Sequence, residues 1–133
     1  MFGHQRVKLN QILNQLAAHL PESRWLLLLD KHGRDKASFP DVVSDPARIS
    51  AMSAAALSLG QRITAELRGG DLRYTLFGGT LNLHMIVALS SDYVLALGLR
   101  PGASVDTLLN ALKDSLTPLL QELKIEMPSE WWP

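Results

Sequence analysis

The 133-residue sequence has no cysteine. A disulfide, a thiolate nucleophile, an iron–sulfur cluster and a cysteine zinc site are therefore excluded, and nothing points to an oxidising compartment. No excess of charge of one sign is present either: thirteen Lys and Arg balance thirteen Asp and Glu. The basic residues are scattered singly among acids and amides, so the clustered cations that bind phosphate backbones by counterion release are missing and nucleic acid is not expected as a partner. Long apolar runs are absent too. The longest, residues 25–29, falls far below the roughly 20 residues that span a bilayer, and residues 1–8 lead into no apolar core of a signal peptide. The expectations are no membrane insertion and a cytoplasmic location. Neither a GxxxxGK[ST] run nor a GxGxxG turn after a strand occurs, so nucleotide hydrolysis by this chain is not expected.

With 47% apolar and 20% charged residues, the chain matches ordinary globular composition and has the length of one domain. Leu9, Ile12, Leu13, Leu16 and Leu20 recur at helical spacing up to Pro21. Residues 25–29 then read as a strand covered on both faces, closed by a turn at Asp30 and Gly33. A weak second strand is expected over 36–39, because Arg34, Asp35 and Lys36 put charge where apolar pairs would stand. Asp45 and Pro46 open a long helix, Asp45 as cap and Pro46 in the first turn. Its stripe of Ile49, Met52, Ala56, Leu59, Ile63 and Leu67 is expected to face the core, and Gly69-Gly70 to end it in left-handed backbone. Segments 72–77, 81–89 and 93–99 read as three antiparallel strands joined at Gly78-Gly79 and Ser90-Ser91-Asp92. In the middle one, Leu81, Leu83, Met85, Val87 and Leu89 face the core, while Asn82, His84, Ile86 and Ala88 make a mixed face. Ser104 caps a final leucine-rich helix, in which Pro118 forces a kink or a new start.

Residues able to carry chemistry are sparse. His4, His19, His32 and His84 lack the spacing that converges on a metal, so no metal site, cofactor or catalytic residue is expected. His84 reads as a partly buried, hydrogen-bonded side chain. The informative feature is the back of the central helix, where Ala47, Ala51, Ala54, Ala55, Ser58 and Ala65 leave only Arg48, Gln61, Arg62 and Glu66 as long polar groups. Small side chains permit close helix approach, so this back suits contact with another protein. The strand over 72–77, with only Arg73 to deter pairing, reads as an open edge.

Taken together, the 25–30 strand with its Asp30-x-x-Gly33 turn, the Ala- and Ser-rich helix over 49–63 and the meander over 72–99 before a closing helix resemble the Roadblock family of dynein light-chain-related proteins. Among its members, the bacterial MglB type is similar in length and in lacking cysteine. The resemblance implies an α+β fold of element order α-β-β-α-β-β-β-α, spanning residues 1–124 with a tail over 125–133. Its single five-stranded antiparallel sheet has the order 2-1-5-4-3, with the first and last helices on one face and the central helix on the other. It also implies a homodimer joined through Ala47, Ala51, Ala54, Ala55 and Ser58 of the helix and Leu72, Arg73, Tyr74 and Thr75 of the edge strand. A small Ras-like GTPase would dock on the paired helices at Arg48, Gln61 and Arg62, and the dimer would act as a non-enzymatic regulator or scaffold. The alternative is a PAS- or GAF-like module holding a small molecule on the sheet face through His84, Asn82 and Tyr74. The Trp131-Trp132 tail is expected to fold back over the domain.

Overall fold

A computed structural model of the chain describes residues 2–41 and 43–126, and the expectation for Trp131-Trp132 lies outside the described residues. Helix α1 (Phe2–Ala18) precedes strands β1 (Ser23–Asp30) and β2 (Asp35–Phe39), helix α2 (Pro46–Glu66), strands β3 (Tyr74–Gly78), β4 (Leu83–Ala88) and β5 (Tyr93–Leu99), and helices α3 (Val105–Ser115) and α4 (Thr117–Leu123). The five antiparallel strands stand in the order β2-β1-β5-β4-β3. Both the α+β class and the sheet order follow the sequence reading.

Alternation along the strands sends their residues to two separate cores. Leu26, Leu28, Met85, Val87, Leu95 and Leu97 meet Leu9, Leu13 and Leu16 of α1 and Leu108, Leu112, Leu119 and Leu123 of α3 and α4 on one face. Leu27, Leu29, Ile86, Ala88, Val94 and Ala96 meet α2 on the other.

Local details bear out several turn and cap assignments. Asp30 Oδ1 accepts from the N–H groups of His32 and Arg34, and Gly33 takes φ +77°. Asp45 caps α2 by accepting from Arg48 N, and Ser104 caps α3 by accepting from Thr107 N. Pro118 starts a new helix, α4, in whose first turn its missing donor costs nothing.

Four expectations are corrected. Leu81 precedes β4 and is 74% exposed instead of facing the core. Helix α1 begins at Phe2, seven residues before Leu9, because its polar first turns are tied down by an Arg6–Asp35 ion pair at 2.9 Å and a Lys8–Glu122 pair at 3.2 Å. The left-handed residues after α2 are Arg68 and Gly70 rather than the Gly69-Gly70 pair. The largest correction concerns α2, whose inward line is Ser50, Ser53 and Leu57, with Ile49, Ala54 and Ala56 half-buried beside them. The stripe expected in the core turns outward: Met52 is 60%, Leu59 57%, Ile63 49% and Leu67 75% exposed. Small residues on the inward line let the helix settle close to the sheet, so close that a Cβ at Gly60 would stand 2.9 Å from Thr75 Cγ2.

Candidate functional site

Helix α2 crosses the sheet and touches all five strands. Near its start it passes Gly33 in the β1–β2 turn, where a Cβ would meet Ala54 Cβ at 3.2 Å, and at Gly60 it stands over Thr75 and Leu72 at the β3 side. One flank faces the β1–β2 and β4–β5 turns. There Ala54, Ser58 and Gln61 line a recess of about 210 Å³ with Asp30, Lys31, Ser90 and Ser91. Burial by itself would raise the Asp30 carboxyl. The N–H donors of Arg34 and His32, with Lys36 and Arg34 nearby, outweigh it and hold the group below the ordinary carboxylate range.

At 3.6 residues per turn, Met52, Leu59 and Ile63 fall on the opposite flank of α2, toward the other end of the sheet. At that end an aromatic row crosses four strands on the α2 face. Trp25 pairs with Gly98, Gly98 with His84, and His84 with Phe77. The indole lies over the glycine, where any Cβ would collide with Trp25 Nε1. The His84 ring meets Trp25 edge-on, with centroids 5.2 Å apart, and Phe77 at 6.4 Å. Burial holds the His84 imidazole below its ordinary value of 6.5, and its Nε2 has no hydrogen-bond partner. The expected hydrogen-bonded His84 is thereby corrected: the ring is held by aromatic packing.

The residues singled out in the sequence are distributed as follows. Ala47, Ala51, Ala55, Ser58, Arg48, Gln61 and Arg62 are all exposed on α2. Ala54 is a correction, since it turns inward and packs against the second core. Leu72 packs there too, whereas Tyr74 packs against the larger core on the far side of the sheet. Strand β3 is an edge with β4 as its single neighbour, so its outer backbone is available for pairing along Tyr74 and Thr75. His84, Asn82 and Tyr74 do not converge: Tyr74 lies on the face opposite His84, and Asn82 is engaged by Arg24. No group of three His, Asp or Glu side chains among the described residues is placed to hold a metal ion.

The sequence reading missed the outward stripe and the aromatic row. The stripe was visible as a periodicity but placed on the wrong side. The row depends on strand register, and its one sequence signal was a glycine inside an otherwise aliphatic strand, at Gly98.

An antiparallel sheet of this order, with one helix alone on one face and three on the other, is the fold of solved Roadblock/LC7 structures. The match is close to MglB of Myxococcus xanthus, at TM-score 0.75 and 14% identity over 88% of this chain and 95% of that one. A Roadblock/LC7 domain from Streptomyces avermitilis superposes at TM-score 0.71 with 21% identity, covering 84% of this chain and 97% of that one. An MglB described in a tetrameric arrangement superposes at TM-score 0.73 and 15% identity, with 93% of each chain covered. No protein-family model matches this sequence, and no curated protein sequence is significantly similar to it.

Proposed function

We propose that this chain is a non-enzymatic, homodimeric regulator or scaffold that binds a small Ras-like GTPase. The observation that supports it is the outward stripe of Met52, Leu59, Ile63 and Leu67 beside an open β3 edge. A contiguous apolar stripe on a helix is costly to leave in water and marks a contact surface. Two copies joined edge to edge through β3 continue one sheet and bring their α2 helices together over it. The similarity to MglB and Roadblock/LC7 structures supports the reading at the level of the protomer fold. No helix among the described residues is long and apolar enough to cross a membrane.

In this reading Arg48, Gln61 and Arg62 form the polar rim on which the GTPase docks. Arg48 and Arg62 lie about 21 Å apart along the axis, a span suited to the footprint of one small protein. Pull-down with a GTP-loaded small GTPase encoded by the same genome tests the reading. Replacing Arg48 and Arg62 together by Ala should weaken capture strongly and leave dimer mass and melting temperature unchanged. Unaltered capture removes these two residues from the site, and absence of capture by the parent chain rejects the GTPase assignment.

A further inference from the structure

The length of α2 exceeds what its own sheet needs. Its 21 residues run about 31 Å at 1.5 Å per residue, whereas the four gaps between five strands span about 19 Å. Gly60 already stands over β3, so residues 61–66 extend roughly 9 Å farther, past the last strand. That overhang carries Ile63, and Leu67 follows it. A solitary protomer gains nothing by projecting two large aliphatic side chains beyond its sheet.

The same face has the complementary defect. Helix α2 passes near the end of the sheet that holds the β1–β2 and β4–β5 turns. At the other end stands the row of Trp25, His84 and Phe77, in which Trp25 and His84 are half-buried and Phe77 is exposed. The overhang and the aromatic row, with its exposed Phe77, belong to opposite ends of one sheet. Antiparallel pairing of β3 with β3 of a second copy turns one protomer end for end about an axis normal to the sheet. Both α2 helices then lie on the same side, and the overhang of each passes over the open end of the other.

We propose that the aromatic row Trp25–His84–Phe77 is the seat on which the C-terminal turns of α2 from a second copy, at Ile63 and Leu67, are packed. This rests on the dimer reading and specifies what each helix end buries. The occupant fits the chemistry: aliphatic side chains can cover flat rings, and a neutral imidazole whose Nε2 has no partner asks for no counter-charge. The contact is isologous, each protomer contributing one helix end and one floor.

Because the chain has three tryptophans, replacing Trp131 and Trp132 by Phe leaves Trp25 as the only indole. Light scattering and iodide quenching of that variant are then measured together, across a dilution series and against the same chain carrying Ala55→Glu. Trp25 quenching several-fold weaker in the dimer than in the monomer supports the proposal. Equal quenching in dimer and monomer overturns it and leaves the dimer standing, because the floor is then either open in both or covered by its own chain. A chain that stays monomeric at tens of micromolar overturns the dimer reading itself. The dilution series keeps the test decisive if Ala55→Glu fails to fold.

Discussion

The two faces of the sheet are made from similar aliphatic residues but are finished differently. On one, three helices close the surface, and Leu9, Leu13, Leu97 and Leu112 are essentially without solvent contact. On the other, a single helix lies close on Ser50, Ser53 and Leu57, keeps Met52, Leu59 and Ile63 outside and leaves Phe77 of the aromatic row exposed. The edges repeat the contrast. Strand β2 is covered by α1, whose Asn10 Oδ1 accepts from Ser38 N and whose Arg6 pairs with Asp35. Strand β3 faces outward beside the exposed stripe. Under the proposed reading the difference is a division of labour: the three-helix face supplies the stability of the protomer, and the α2 face serves association.

Truncation on the closed face should have the largest effect. Leu97→Ala removes a fully buried side chain and should cost about 2–5 kcal/mol of unfolding free energy, read by urea denaturation. A loss no larger than that of a surface substitution would break the comparison. Ile63→Asp, on the open face, should behave in the reverse manner. Unfolding of the separated protomer should change by about 0.5 kcal/mol or less, while dimer affinity collapses because an unpaired charge is buried at the contact.

His84 gives a smaller, pH-dependent effect. Its folded pKa is depressed below 6.5 by burial, so the unfolded chain takes up the proton first. Stability from this group is complete above about pH 6.5 and declines as the pH falls below it. His84→Phe keeps a flat ring without titration and should flatten that part of the melting-temperature profile. An unchanged profile would assign the acid sensitivity elsewhere. The smallest effect is expected at Ser53, whose buried hydroxyl has no partner. Ser53→Ala should leave stability unchanged or raise it by about 1 kcal/mol, and a clear loss in thermal melts would show that the hydroxyl is satisfied in solution.

How far the sequence reached follows the same division. The strand over 93–99 and the hairpins at Gly78-Gly79 and Ser90-Ser91-Asp92 were legible because local turn chemistry and apolar runs determine them. The start of α1 was not, because Arg6 and Lys8 are held by Asp35 and Glu122, partners remote in sequence. Helix α2 was legible as a helix, yet its facing was not. Its 3.6-residue period supports two stripes, one of large residues through Met52, Leu59 and Ile63 and one of small residues, Ser50, Ser53 and Gly60, with Leu57 as its one large member. Hydrophobicity alone selects the first for the core. Close approach to the sheet selects the second, and that is a tertiary demand. Among the candidate site residues, Ala47, Ala51, Ala55, Arg48 and Arg62 are exposed on α2. The Trp25–His84–Phe77 row stayed hidden, since only strand register brings those three residues together.

The central claim, that the α2 face is built for a second copy, is tested most directly by multi-angle light scattering of the parent chain beside Ile63→Asp. The account predicts twice the 14.7 kDa protomer mass for the parent at tens of micromolar and the single protomer mass for the variant, with both showing the same far-ultraviolet circular dichroism. A parent that elutes as a monomer, or a variant that remains a dimer, would contradict it.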